Sequence, residues 1–179
     1  MSDVVRRAVV ADAEAIATIH VASWRAAYSG IVPQSFLDGL DIQRRATGWG
    51  ERLTAQGDTR SWVAERDGKV VGFAGTDPAE AADVPHVPLG SHALSTIYTL
   101  PETWGTGVGR ALLERVEADL AADGVETMYL WVFASNDRAR AFYERAGWQL
   151  DGGTQDLAIG GASIPTVRYV RSLKAASEG

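Results

Sequence analysis

The stretch from Ser95 to Gly124 constrains this chain more than any other part of it. It runs STIYTL, then PETWGTGVGR, then ALLERVEADLAADG. A short apolar run of strand character leads into a glycine-rich turn, and the turn opens a helix. Gly105, Gly107 and Gly109 alternate, so every second residue lacks a side chain just before Ala111-Leu112-Leu113. Glycine reaches positive φ readily and lets another group come close to the main chain. The first amides of the helix lack intrahelical partners, and the helix dipole adds positive charge there. Together these make a socket suited to phosphate, read here as the grip on a pyrophosphate-bearing cofactor. Two glycine fingerprints do not fit. A Walker A loop needs Lys-Ser/Thr where Arg110-Ala111 stand. A Rossmann fingerprint needs glycine at 110 and opens the first crossover of its domain.

Around this stretch the pattern predicts alternating strands and helices. Val4 to Val10 reads as a strand, with Asp12 capping a helix that carries Ile16, Ile19 and Ala22 or Ser23 on one face. Gly30 and Pro33 break it, and an irregular helical stretch follows from Pro33 to Leu53. Ser61 to Glu65 and Lys69 to Gly75 flank Asp67-Gly68, a hairpin signal. Asp77 to Gly90, with its prolines and acidic residues, reads as a long loop. Ser91 to Leu100 is a strand, and Val108 to Ala122 a helix with Val108, Leu112, Val116 and Leu120 in one stripe. Met128 to Phe133 is apolar enough for a strand covered on both faces. Ser135 or Asn136 caps the next helix, which Gly147 stops. Trp148 to Leu150 and Pro165 to Leu173 read as two closing strands around an Asp151-Gly152-Gly153 turn, and residues 174–179 as a frayed tail.

Composition narrows the partners. The 179 residues fit a single domain. A net charge of −6 disfavours a nucleic-acid binder, which needs surplus Lys and Arg to neutralise phosphates. The absence of cysteine removes disulfides, thiolate metal sites and cysteine nucleophiles, and fits a reducing cytoplasm. No run approaches the ~20 apolar residues of a membrane span, and the first residues lack a signal-peptide pattern. The histidines have no metal-ligand spacing, so no metal is expected.

Two segments together resemble the GNAT superfamily of acetyl-CoA-dependent N-acyltransferases. One is Ile97-Tyr98-Thr99-Leu100-Pro101-Glu102-x-Trp104-Gly105-x-Gly107-x-Gly109 before Ala111-Leu112-Leu113. The other is Asn136-x-x-Ala139-x-x-Phe142-Tyr143-x-x-x-Gly147-Trp148. One helix and one apolar strand separate them, and the similarity is detailed over Ser91 to Trp148. The chain departs from the family in carrying Trp104 where Gln or Arg is usual, and Ala93 where some relatives carry a Glu. The resemblance implies an α/β fold with a mixed, mostly antiparallel sheet flanked by helices. Two parallel central strands splay in it, and acetyl-CoA wedges between them.

It also implies roles. Main-chain groups of Tyr98, Thr99 and Leu100 would bind the pantetheine arm. The turn Trp104, Gly105, Thr106, Gly107, Val108, Gly109, Arg110 and Ala111 would hold the pyrophosphate. Tyr143, with a reference pKa of about 10, would return a proton to the departing thiolate. Asn136 reads as a helix cap that can also touch the cofactor, and Arg140 as a candidate for its phosphates. Among the three histidines, His92 is the best candidate base; His20 reads as packed, and His86 as part of the proline loop. Trp24, Arg25 and Tyr28, at a helix end, can line a pocket for an acceptor bearing a carboxylate or phosphate. Trp49, Trp62, Trp131 and Trp148 read as structural.

The expected activity is therefore acetyl transfer from acetyl-CoA to a primary amine of a small molecule or peptide, by direct attack in a ternary complex, in a chain able to form a homodimer. A non-catalytic acyl-CoA sensor and a nucleotide-binding module are the alternatives; Tyr143→Phe and competition by ATP separate them.

Overall fold

The computed structural model describes residues 3–79 and 87–174. Strand β1, Val4–Arg7, is shorter than its apolar run because the chain turns through a 3-10 helix at Val10–Asp12. Asp12 causes that turn. Its carboxylate accepts the Val9 N–H at 2.8 Å and is held by the Arg6 guanidinium, so it is not the side-chain cap expected for the following helix. That helix, α1 (Ala13–Ala27), buries Ile16, Ile19 and Ser23. The irregular stretch after it is two helices, α2 (Gln34–Asp38) and α3 (Ile42–Thr54). Asp41 caps α3 by accepting the Arg44 N–H at 2.6 Å.

Strands β2 (Arg60–Arg66) and β3 (Lys69–Pro78) form the expected hairpin. Asp67 and Gly68 both take positive φ, 51° and 74°, as a two-residue turn matched to strand twist requires. β3 runs on to Pro78, so part of the segment read as loop is strand; His86 lies outside the described residues. Then come β4 (His92–Thr99), α4 (Val108–Ala122), β5 (Thr127–Phe133), α5 (Asp137–Arg145), β6 (Gln149–Ile159) and β7 (Ala162–Ser172).

These strands make one mixed sheet in the order β1-β2-β3-β4-β5-β7-β6, and only β4 and β5 pair in parallel. Strand alternation sends Trp62, Ala64 and Leu94 to the face covered by α4 and α5, with Leu112, Val116 and Tyr143. Val63 and Phe73 go to the opposite face, under α1 and α3 with Ile16, Ile19 and Trp49. The last two strands correct the sequence reading. Their turn is at Gly160-Gly161, with φ of 58° and 82°, and Asp151-Gly152-Gly153 is a bulge where pairing jumps from Leu150–Tyr169 to Thr154–Val167. The bulge wraps the buried Arg168. Asp151 accepts its Nε–H at 2.7 Å, and a Cβ on Gly153 would stand 2.8 Å from that nitrogen. No helix among the described residues is long and apolar enough to cross a membrane.

The feature that positions a site is the parallel pair. β4 and β5 pair only at His92–Met128 and Ala93–Tyr129, while each stays paired along its length with its outer neighbour, β3 or β7. Ser95 is an extra residue in β4, between the pairs Thr76–Leu94 and Gly75–Thr96. Such bulges bend a strand and end its pairing on one side. Beyond it the two strands diverge, as the resemblance implies.

Candidate functional site

The glycine turn stands at the open end of that gap. After β4 the main chain makes tight turns, with Trp104 N–H bonded to the Pro101 carbonyl and Thr106 N–H to that of Thr103. Gly105 and Gly107 take φ of 76° and 97°, a region that a side chain disfavours. The first main-chain bond of α4 is Ala111 N–H to Gly107 O, at 2.9 Å. The N–H groups of Gly105, Gly107, Val108, Gly109 and Arg110 make no main-chain hydrogen bond within the described residues. This is a cluster of donors at a helix N-terminus, suited to an anion. A Cβ on Gly109 would lie 3.6 Å from the Phe142 ring, so the turn packs directly on α5, the helix that carries Tyr143.

Aromatic side chains close the gap on both faces of the sheet. From α1, Tyr28 packs on Phe133 of β5 with ring centres 4.9 Å apart, and its hydroxyl is 3.0 Å from that of Tyr98 on β4. From α5, Tyr143 is buried among the residues of the α4 face. Burial, with the nearby Tyr98, pushes the Tyr143 phenol well above its usual range, and burial does the same to Tyr28. Both hydroxyls keep their protons at neutral pH, so each can donate a hydrogen bond to a charge developing in the gap.

Three residues proposed from sequence are engaged elsewhere. His92 Nε2 is 3.1 Å from Asp58 Oδ2, and Asp58 also binds Arg60, which pairs with Asp123. Asp123 follows the last residue of α4, whereas the glycine turn precedes the first. A helix of 15 residues separates the two ends by about 22 Å. His92 is thus held by Asp58 at the closed end of the parallel pair, away from the glycine turn, and burial lowers its pKa. Arg25 donates to the carbonyls of Leu37, Asp38 and Leu40, tying α1 to the end of α2 rather than facing a pocket. Arg140 donates to the Ala134 carbonyl at 2.9 Å and the Tyr169 hydroxyl at 3.2 Å. Through these two nitrogens it braces α5 on the sheet.

The other residues fall nearer to expectation. Asn136 caps α5 by accepting the Ala139 N–H at 3.2 Å. His20 is packed. It stacks on Tyr98 with ring centres 5.3 Å apart and accepts the Trp49 indole N–H at 3.2 Å. Burial pulls its pKa down to about 3, so it is neutral. Trp24 packs on Tyr28 and Phe36; its buried indole N–H lies beside the Tyr98 hydroxyl without completing a hydrogen bond. Trp104 turns inward, and its indole N–H meets the Thr99 carbonyl at 3.1 Å, which Ser23 Oγ also bonds at 2.8 Å. The side chain at this departure from the family pattern therefore locks the end of β4. Trp62 and Trp148 donate to Asp119 and Glu117, as structural residues do.

Two cations escaped the sequence reading. The Arg138 guanidinium lies 3.3 Å from the centre of the Trp104 ring, across the mouth of the gap. It sits two residues into α5, a position that a helix-face reading treats as solvated. Arg45 lies over the Trp24 ring at 5.3 Å and beside His20 Nε2 at 3.4 Å. Its signal was the spacing Arg45, Trp49, Arg52, which puts one face of α3 in register.

The Acetyltransferase (GNAT) family model matches residues 16–148, a span that includes the turn, the gap and α5. The chain is 33% identical to the uncharacterized N-acetyltransferase YuaI of Bacillus subtilis, over 74% of this chain and 72% of that one. In fold it resembles the PaiA N-acetyltransferase of Thermoplasma acidophilum, solved in complex with coenzyme A: the TM-score is 0.71 at 18% identity, over 96% of this chain and 99% of that one. It likewise resembles YncA of Salmonella typhimurium, solved with its cofactor acetyl-CoA, with a TM-score of 0.72 at 19% identity over 100% and 98% of the two chains. With a seven-stranded sheet that parts at its one parallel pair and a family match across that site, this chain belongs to the GNAT family of acetyltransferases.

Proposed function

We propose that this protein transfers the acetyl group of acetyl-CoA to a primary amine of a small molecule or peptide, by direct attack within a ternary complex. The observation that carries the reading is the parting of β4 and β5 after two paired residues, with the donor-rich turn at the mouth and Tyr143 against the gap. The chain's own groups fit the cofactor. The amides of Gly105 and Gly107 to Arg110 suit a diphosphate. By strand alternation the main chain of Tyr98 and Leu100 turns to β3, with the Leu100 N–H on Val71 O, so the main-chain groups of Ile97 and the N–H of Thr99 face the gap, the Thr99 carbonyl being held by Trp104 and Ser23. There they suit an amide-bearing arm lying alongside β4. Asn136 keeps its side-chain NH2 for the same arm, since only its oxygen is used in the cap.

Bound acetyl-CoA supplies an activated thioester. In the ternary complex the amine nitrogen would bond to the carbonyl carbon as the carbon–sulfur bond breaks, and the proton lost by nitrogen would pass to the thiolate. Tyr143, protonated at neutral pH, donates a hydrogen bond to the departing sulfur. Its raised pKa makes full proton release to a thiolate of reference pKa about 8.5 uphill, so its role is to stabilise charge as the bond breaks, with the proton made good from the attacking nitrogen. No cysteine is present to carry the acyl group on the enzyme. Among the described histidines, His20 is buried and neutral and His92 is held by Asp58; in this reading the acceptor enters as the free amine.

Thiol release from acetyl-CoA against a panel of amines tests the activity, alongside calorimetric titration with acetyl-CoA. Heat of binding with acetylated product supports the reading. Binding with no product from any amine would make the protein an acyl-CoA sensor, and neither would remove the assignment.

A further inference from the structure

A cavity of about 620 Å³ opens between α2 and α3, lined by Phe36, Leu40, Arg44, Arg45, Trp49 and Arg52 among others. Its chemistry is uneven. Arg52 is neutralised by Asp77 at 3.0 Å. Asp41 spends one oxygen on the α3 cap. Among the described residues Arg45 has no carboxylate partner: it lies over the Trp24 ring at 5.3 Å and beside His20 Nε2 at 3.4 Å. His20 is neutral and so contributes no counter-charge. Half-buried arginines are ordinarily paired, because desolvating a cation is costly. Burial does weaken Arg45's hold on its proton, which is the mark of a desolvated charge without compensation. Arg44, one residue earlier, stands exposed on the same cavity.

The cavity lies close to the gap. Arg45 stands beside His20 at 3.4 Å, His20 stacks on Tyr98 with ring centres 5.3 Å apart, and the Tyr98 hydroxyl is 3.0 Å from that of Tyr28. A line of contacts thus runs from that cation to the phenols of β4 and the end of α1. We propose that the acceptor is an amine that also carries a carboxylate, with Arg45 binding the carboxylate while the amine reaches the gap past Tyr28 and Tyr98. This rests on the acetyltransferase reading above. Charge selects the class: of Arg44, Arg45 and Arg52, set against Asp41 and Asp77, one positive charge remains. That matches a monoanion better than a phosphate dianion. The planar guanidinium fork is suited to a carboxylate.

The experiment compares matched pairs on the acetyl-CoA-loaded protein. A panel of amino acids with the amine at positions from α to ω is assayed beside the same compounds as carboxamides, by thiol release and by calorimetry. A charge-assisted pair predicts that the preferred acid exceeds its amide by about ten- to hundred-fold in kcat/KM. Arg45→Gln should bring the two to parity, and Arg45→Lys should retain part of the preference. Acids and amides used equally well by the unaltered protein would overturn the proposal while leaving acetyl transfer intact, and this comparison needs no variant to fold. Failure of every acid to bind or react would overturn it too; calorimetry with acetyl-CoA alone then decides whether the acetyltransferase reading falls with it.

Discussion

The guanidinium carbon of Arg138 stands 3.3 Å from the centre of the Trp104 ring. Trp104 begins the glycine turn before α4, and Arg138 lies in the first turn of α5, so this stack joins the two elements that flank the mouth of the gap. The indole N–H also fixes the carbonyl of Thr99. Trp104→Ala removes both contacts. It is expected to cost about 1–2 kcal/mol of stability, read by urea denaturation, and to weaken acetyl-CoA binding in calorimetry. Arg138→Ala keeps the indole bond, so it should affect binding with a smaller loss of stability. Equal stability losses in the two variants would contradict the division of roles.

Two glycines of the turn should respond with opposite signs. Gly107 has φ of 97°, so Gly107→Ala forces a side chain into a disfavoured region at about 1–2 kcal/mol, and it distorts the donor cluster. Gly109 is in the first turn of the helix, and a Cβ there meets Phe142 at an ordinary 3.6 Å. Gly109→Ala is expected to be neutral or to stabilise by up to about 1 kcal/mol. Thermal denaturation of both variants checks the contrast, which a Gly109→Ala protein less stable than Gly107→Ala would refute.

Tyr143→Phe preserves the buried ring and removes the hydroxyl. It should lower kcat by about 10²-fold or more, the lower range for a hydrogen-bond donor to developing charge, and leave acetyl-CoA affinity unchanged. His92→Gln is the control, since His92 lies at the other end of α4 with Asp58; its kcat should match the parent's. The raised Tyr143 pKa also has a sign in stability. The folded state favours the protonated phenol, so that contribution is complete below about pH 10, the unfolded value, and declines at higher pH. The difference in alkaline denaturation between parent and Tyr143→Phe measures it.

His20 acts in the acid range. Its folded pKa is about 3 against about 6.5 unfolded, because burial disfavours the imidazolium. The unfolded state binds the proton first, so this contribution is full above about pH 6.5 and is lost as pH falls toward 3. The loss is on the order of several kcal/mol. Urea denaturation at pH 7 and pH 4 should show a shallower pH dependence in His20→Gln than in the parent. Parallel slopes would mean that His20 is accessible to protons in the folded state.

Local chemistry in the chain determined a great deal: the hairpin at Asp67-Gly68, the limits of α4, the buried strand β5 and the turn with its free amides. These follow from φ preferences, side-chain period and the missing partners of a helix start, which neighbouring residues settle among themselves. The DGG segment of β6 misled for the same reason, since glycines serve a turn and a bulge equally. Only packing against Arg168 decides between them. Tertiary structure alone decided which charged side chains are spent. Arg25, Arg140 and His92 are engaged by carbonyls, a phenol and a carboxylate on other elements, whereas among the described residues Arg45 and Arg138 lie against aromatic rings without an acidic partner. A side chain's availability depends on what the fold brings within about 3 Å of its polar atoms, and no spacing along one helix encodes that.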